Sequence, residues 1–253
     1  MKSNHHCHLE PAALTESLCH WYGQGIGERL VHDLRKHLDA MLVQQFGYFA
    51  LQIGSIALQH EFLERCAIKT HIHMDLIERN ATVCGSPDAL PFEPDSLDLI
   101  LLMHSLDFAQ DPHQVLREVE RTLIPQGHVV IVGFNPWSLF GVWQLALRRR
   151  GRVPWCGHFY TNARVKDWLS LLGFESLRCS YIAHRPPVPY KRLYDRLAFV
   201  EGVRYIAPFT GGVYVLMAQK KVAKVTPLKT AWLPRRRVIT GLAKPTAREG
   251  TNG

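Results

Sequence analysis

The sequence contains no uninterrupted run of about 18 apolar residues, the length needed for a helix that spans a membrane. Residues 1–21 also lack an apolar segment between a basic start and a small-residue cleavage site, so no secretory signal is predicted. Hydrophobic content is 47% and charged content is 21%, which is typical of a globular protein with a full core. These features predict a cytoplasmic protein without a membrane span.

The cysteine spacing of a zinc site or of a disulfide framework is also missing. The six cysteines include no CxxC pair, and most of them lie in apolar runs, so reduced thiols are expected. Potential metal ligands occur near the N-terminus, at His5, His6, Cys7 and His8. Because no regular element orients them, we interpret residues 1–13 as a flexible segment and expect no metal.

Acidic residues are scarce at the end of the chain. The net charge is +8, and nine lysines and arginines lie between Lys220 and Gly253, against the single acid Glu249. Such charge suits a nucleic acid or an acidic membrane, but Trp232 is the one aromatic residue there, and single-strand binding usually involves base stacking. We therefore interpret residues 222–253 as a disordered basic tail, and nucleic-acid binding is not expected.

Between these ends, apolar patterns predict strands and helices in turn. Strands are predicted at 47–54, 68–75, 82–85, 97–106, 128–134, 174–183 and 213–220. Helices are predicted within 14–45 and over 55–66, 113–124, 137–149 and 162–173. This alternation predicts an α/β fold: a single Rossmann-like, doubly wound domain whose seven-stranded sheet is mostly parallel with an antiparallel edge strand. The domain is expected to cover residues 14–221, with residues 14–46 as a helical cap.

Glycine is scarce where a cofactor loop would need it. The stretch 49-FALQIGSIALQHEFLERC-66 predicts a buried strand that turns into a helix at Gly54, its only glycine. Nucleotide-binding turns usually carry two or three glycines, because the backbone amides must come close to the ligand. The stretch is therefore either a cofactor loop with one remaining glycine or an ordinary strand-to-helix turn.

The segment 85–136 carries six sequence features in a fixed order. They are Leu90-Pro91-Phe92, Leu97-Asp98, His104, Asp111-Pro112, Arg117-Glu118 and the run from Leu123 to Gly127. This order resembles the second half of a class I S-adenosylmethionine-dependent methyltransferase, of the type 11 group that methylates small molecules. Residues 211–221 are similar to the last strand of that family, so the resemblance covers residues 47–221.

The resemblance implies that S-adenosylmethionine is the cofactor and that the ends of the strands hold it. The implied cofactor-binding residues are Gln52, Gly54, Ser55, Asp75, Ser86, Asp88 and His104. The glycine-rich motif is degenerate: Gln52 replaces the family's acid, and Ile56 and Leu58 take later glycine positions. Ser86 also stands where the family has an acid near the adenine, although Asp88 lies close by.

Three of the polar residues at strand ends have two interpretations each. Asp75 has the spacing of the family's ribose-binding acid, or it is a solvated residue in a turn. His104 lines the cofactor or substrate pocket or acts as a base, or it is a hydrogen-bonded residue at the end of a strand. Asn135 contacts substrate, or it forms a turn. No catalytic dyad is evident from spacing, so His104 and Asn135 are the catalytic candidates.

The function implied by the resemblance is methyl transfer to a small or medium organic acceptor. The alternative is a catalytically inactive methyltransferase-like binding protein, because Gln52, Ile56 and Leu58 weaken the cofactor loop. A small-molecule substrate is the expected partner. Neither the acceptor atom nor the oligomeric state follows from the sequence.

The interpretation of the basic tail gives a direct test. Deleting residues 223–253 is expected to leave the melting temperature and the affinity for S-adenosylmethionine unchanged, because a disordered tail contributes no packing to the domain. Thermal unfolding and calorimetry of both forms measure this. A salt-dependent mobility shift of labelled DNA or RNA that only the intact chain produces would contradict the interpretation.

Overall fold

The computed structural model describes residues 10–54, 60–76, 81–147, 152–184 and 208–221. All of these belong to one compact unit, which extends over Met1–Val222. Pro11–Ala13 of the predicted flexible segment 1–13 instead begin the first helix. Residues 1–9 of that segment with the histidine cluster, Ser55, and the predicted tail lie outside the described residues. The structure therefore leaves the predictions for these segments as they stand.

Two helices precede the sheet, α1 (Pro11–Tyr22) and α2 (Gly25–Leu42). The predicted helical region 14–45 is thus divided at Gly23-Gln24. A Cβ atom at Gly27 would lie 2.1 Å from the carbonyl oxygen of Trp21, so only glycine allows the two helices to approach so closely. The apolar residues of α2 recur at intervals of three and four residues, and this face is buried against the sheet.

The strands form one seven-stranded sheet. They are β1 (Phe46–Ile53), β2 (Ala67–Asp75), β3 (Val83–Cys84), β4 (Leu97–Met103), β5 (Leu123–Phe134), β6 (Phe174–Ile182) and β7 (Val213–Lys220). Their order is β3-β2-β1-β4-β5-β7-β6, and only β7 runs antiparallel to its neighbours, within the last pair at one edge. This confirms the predicted Rossmann-like, mostly parallel α/β fold.

Helices cover both faces of the sheet. The remaining helices are the single turn α3 (Ser105–Phe108), α4 (Pro112–Thr122), α5 (Leu139–Leu147) and α6 (Asn162–Leu171), which confirms three of the predicted helices. The apolar residues of α1, α2 and α5 share one core, and those of α4 and α6 share the core on the opposite face. Polar ligands can therefore reach the sheet only at the ends of its strands.

The helix predicted over 55–66 is wrong in its described part, because residues 60–66 are irregular. Phe62, Leu63 and Cys66 are nevertheless buried, in the same core as the apolar face of α2. The apolar pattern thus reflects burial beside α2 rather than helical periodicity.

The expectation of reduced cysteines holds for four described thiols and fails for one. Cys19, Cys66, Cys84 and Cys179 are free, whereas Cys156 is disulfide-bonded.

No group of three or more metal-ligating side chains occurs within the described ranges. Among the helices that the structure describes, none is long and apolar enough to cross a membrane.

Candidate functional site

A cavity of about 330 Å³ opens at the carboxyl ends of β1, β2 and β4. The pairing register explains its position: Ile53 is level with Met74 on β2 and with Leu102 on β4. The residues that follow on these three strands therefore emerge at one edge of the sheet. Those residues include Gly54, Asp75 and His104, and all three line the cavity.

Gly54 is required by the way that β1 ends. Its φ angle is +120°, which side chains rarely tolerate, and a Cβ atom there would lie 2.4 Å from the carbonyl oxygen of Met103. The Ser105 hydroxyl donates to the Ile53 carbonyl oxygen at 3.2 Å and holds the same strand end. Gly54 therefore lets the chain leave the sheet in contact with β4, and its backbone forms part of the cavity wall.

Asp75 is the last residue of β2 and is buried at the cavity. The Thr15 hydroxyl, on α1, donates to its Oδ1 atom at 3.4 Å. Leu14, Thr15 and Leu18 of α1 also line the cavity, so the N-terminal helix forms one of its walls. The predicted cap thus contributes directly to the site.

The charges that line the cavity have one sign. Ser86 and Asp88 follow β3 and line the cavity together with Asp75, Asp107 and Asp111. Within the described residues, no lysine or arginine lines it. Four aspartates thus line a partly apolar cavity. The Asp111 carboxylate caps α4 and that of Asp107 is paired with His104, so Asp75 and Asp88 are the two that favour a ligand with positive charge or several hydrogen-bond donors.

His104 and Asp107 form a buried pair that the sequence analysis did not identify. His104 has a left-handed backbone with φ 56°, and its Nδ1 lies 3.0 Å from Oδ2 of Asp107, which also accepts from the backbone N–H of Phe134 at 3.0 Å. Burial raises the pKa of Asp107, and the hydrogen bond from His104 partly offsets this rise. The sequence does place His104 and Asp107 three residues apart directly after a predicted strand. A single helical turn at that point brings the two side chains together, so their spacing could have indicated the pair.

Aromatic rings fix the plane of the His104 imidazole. The ring of Phe134 stacks on it with 4.0 Å between centroids, and the ring of Tyr22 lies 5.8 Å away on a similar plane. The Nε2 atom is buried and has no hydrogen-bond partner within the described part of the chain. Nδ1 is thus held by Asp107, and Nε2 is the imidazole nitrogen that no described protein group engages.

Gln52, a predicted cofactor ligand, does not line the cavity. Its side chain is fully buried; Nε2 donates to the carbonyl oxygen of His60 at 2.9 Å, and Oε1 accepts from the backbone N–H of Phe62 at 3.0 Å. The amide needs both a donor and an acceptor for these bonds, and a carboxylate has only acceptors. Gln52 therefore fixes the connection between β1 and β2.

Asn135, a predicted catalytic candidate, also lies outside the cavity lining. Its Nδ2 donates to the carbonyl oxygens of Phe209 and Gly211 at 2.8 and 2.9 Å, and its Oδ1 accepts from the backbone N–H of Trp137 at 3.1 Å. These bonds tie the end of β5 to the segment that precedes β7. The side chain of Asn135 therefore stabilises the backbone around the end of β5, in agreement with the interpretation of Asn135 as a turn residue.

The sheet order and the position of the cavity agree with a match to known proteins. Residues 40–131 match the family model described as a methyltransferase domain. Over these residues the match confirms the resemblance of the chain to class I S-adenosylmethionine-dependent methyltransferases. The matched residues extend from the end of α2 to β5 and include every strand that contributes to the cavity.

Two curated relatives differ in how much of this chain they match. "Uncharacterized protein YafS" of Escherichia coli (strain K12) is 36% identical over 147 residues, which are 58% of this chain and 61% of the relative. A "Malonyl-[acyl-carrier protein] O-methyltransferase" of Halorhodospira halophila is 34% identical over 70 residues, 26% of this chain and 24% of that protein. The match thus spans less than two thirds of either relative.

Solved structures support the fold independently. A crystal structure from Thermotoga maritima, titled as a SAM-dependent methyltransferase and possible histamine N-methyltransferase, has a TM-score of 0.56 and 17% identity. The alignment covers 76% of this chain and 92% of that one. At this identity the likeness concerns the fold alone.

The role of Gln52 can be tested by stability measurements. Replacing Gln52 with Leu is expected to lower the free energy of unfolding by about 1–3 kcal/mol, because it leaves the buried backbone groups of His60 and Phe62 without partners. Gln52→Glu, which restores the acid of the family motif, is also expected to destabilise, since it removes the donor to His60. Denaturant unfolding measures both changes.

Gln44→Leu, at an exposed position, serves as the control and is expected to change the free energy by less than about 0.5 kcal/mol. Unfolding of Gln52→Leu at the same denaturant concentration as the native chain would show that these bonds contribute nothing.

Proposed function

We propose that this protein is an S-adenosylmethionine-dependent methyltransferase that acts on a small or medium organic acceptor. The observation that carries the proposal is the cavity at the ends of β1, β2 and β4, where Gly54 exposes backbone and Asp75 presents a buried carboxylate. In an open α/β sheet this edge is where ligands bind. The match to the methyltransferase family model supports S-adenosylmethionine as the cofactor.

The residues present fit that cofactor. The cavity volume of about 330 Å³ lies within the range of about 300–1,000 Å³ that is usual for small-molecule sites. The Asp75 carboxylate is proposed to accept hydrogen bonds from both ribose hydroxyls, and the backbone at Gly54 to lie against the methionine portion. Ser86 and Asp88 are proposed to contact the adenosine portion, while Leu14, Leu18 and Val115 provide apolar surface.

The acidic lining supports a cationic cofactor over an anionic one. S-adenosylmethionine supplies an electrophilic methyl group on a positively charged sulfur when it is bound. The carboxylates of Asp75 and Asp88 favour positive charge in the cavity, and they disfavour a phosphate-bearing ligand such as a dinucleotide.

His104 is proposed to act on the acceptor side of the site. Asp107 accepts a hydrogen bond from Nδ1, so Nε2 is the imidazole nitrogen that remains for a contact with the acceptor. A neutral Nε2 can accept a proton or a hydrogen bond from the nucleophilic group of the acceptor. Methyl transfer to an already reactive nucleophile depends mainly on positioning, so His104 is proposed first as a group that orients the acceptor.

The inactive alternative rests on the degenerate glycine-rich motif, and the contacts of Gln52 weaken it. Gln52 stabilises the connection after β1 without entering the cavity. Its replacement of the family's acid therefore leaves the ribose-side carboxylate, Asp75, and the cavity intact.

Calorimetric titration with S-adenosylmethionine and S-adenosylhomocysteine tests the proposal. We expect saturable binding of both compounds, and Asp75→Asn is expected to weaken it by about 1–3 kcal/mol, because a charge-assisted hydrogen bond to the ribose is lost. Asp167→Asn, an exposed aspartate on α6 outside the cavity lining, is the matched control and is expected to bind as the native chain does.

Folded native protein that shows no heat of binding at millimolar ligand would contradict the proposal and favour the inactive alternative. Equal affinities of Asp75→Asn and the native chain would show that the cofactor does not contact Asp75.

A further inference from the structure

We propose that Thr15 of helix α1 is a positioning residue for the Asp75 carboxylate, and that its hydroxyl sets how tightly the site holds a ligand with a ribose diol. The inference rests on the proposed function, because it adds a residue from outside the sheet to the same site. Thr15 and Asp75 are 60 residues apart in the sequence, and the Oγ1 atom of Thr15 lies 3.4 Å from Oδ1 of Asp75.

Thr15 is the small polar residue in the buried stripe of α1. Among the described side chains of this helix, those of Thr15, Leu18 and Tyr22 are buried, and their intervals of three and four residues place them on one face. Valine has nearly the same shape as threonine, whereas a buried hydroxyl costs free energy unless it is hydrogen-bonded. A threonine at this position therefore indicates that the hydroxyl itself has a use.

Two donors from different parts of the chain hold one oxygen of Asp75. The Thr15 hydroxyl and the backbone N–H of Leu76 both donate to Oδ1. A threonine hydroxyl inside a helix can instead bond to a carbonyl oxygen one turn earlier in the same helix. Here the hydroxyl crosses to the end of β2, so α1 and the chain after β2 together fix the orientation of the carboxylate.

The pair of Thr15 and Asp75 suits ligand binding better than it suits stability. The exposed fraction is 3% for Thr15 and 5% for Asp75. Burying a carboxylate costs free energy, and apolar residues at both positions would avoid that cost. Both residues line the cavity, where a carboxylate that is held in place can accept hydrogen bonds from a ligand.

Helix α1 presents the hydroxyl from a fixed position. The end of α1 packs tightly against α2, since a Cβ atom at Gly27 would lie 2.1 Å from the carbonyl oxygen of Trp21. The ring of Trp21 also lies 6.3 Å from that of Phe134, centroid to centroid. Thr15 therefore contacts Asp75 before a ligand binds, and the ligand does not have to order the carboxylate itself.

Calorimetric titration of the full chain with S-adenosylhomocysteine tests the inference. Thr15→Val removes the hydroxyl and is expected to weaken binding by about threefold to tenfold, because the ligand must then order the carboxylate. Thr15→Ser keeps the hydroxyl and is expected to bind within about twofold of the native chain. The matched control is Thr70→Val, at an exposed threonine of β2 outside the cavity lining, which is expected to bind as the native chain does.

A double-mutant cycle shows whether the hydroxyl acts through Asp75. In an Asp75→Ala background, Thr15→Val is expected to cause no further loss of affinity, because no carboxylate is left to position. An unchanged melting temperature of Thr15→Val would exclude loss of the fold as the cause of weaker binding.

Three results would overturn the inference and leave the proposed function intact. The first is equal affinity of Thr15→Val and the native chain for S-adenosylhomocysteine. The second is a loss of affinity in Thr15→Ser as large as that in Thr15→Val, and the third is the same fold loss from Thr15→Val with and without Asp75. A folded native chain that does not bind the compound would overturn the proposed function and this inference together.

Discussion

The contact between the end of β1 and the backbone of β4 is the constraint on which the rest of the site depends. Gly54 lies so close to the carbonyl oxygen of Met103 that no side chain fits, and its φ angle directs the chain out of the sheet. This leaves the adjoining strand ends free, so that Asp75 and His104 open into one cavity. Gly54 thus meets the steric requirement at the point where β1 leaves the sheet.

The polar residues at the ends of the strands divide into two groups with different roles. Gln52 and Asn135 use their amides to hold neighbouring backbone, so they position the connections around the cavity. Asp75 and His104 instead line the cavity, and each is supported from another element: Thr15 of α1 contacts Asp75, and Asp107 of α3 contacts His104. Residues that hold backbone and residues that line the cavity therefore alternate along one edge of the sheet.

The sequence was sufficient for the parts of the fold that depend on local pattern. Short apolar blocks between polar turns predicted all seven strands, because a strand buried on both faces needs apolar residues throughout. The 55–66 prediction failed because Phe62 and Leu63 pack beside α2, a helix distant in sequence, and their spacing imitates a helical period. Asp75 and His104 were found as candidates because residues that directly follow parallel strands share one edge. The turn interpretation of Asn135 was available from the sequence, but its bonds to Phe209 and Gly211 were not, because those residues are distant in sequence. The role of Gln52 was also hidden, since it depends on backbone groups of His60 and Phe62 in the connection after β1.

The central claim is that the cavity holds the adenosyl cofactor with its ribose at Asp75. A crystal structure of the protein with S-adenosylhomocysteine tests this most directly. The account predicts both ribose hydroxyls within hydrogen-bond distance of the Asp75 carboxylate and the methionine portion against Gly54. A ligand bound elsewhere, or bound with its ribose directed away from Asp75, would contradict the account.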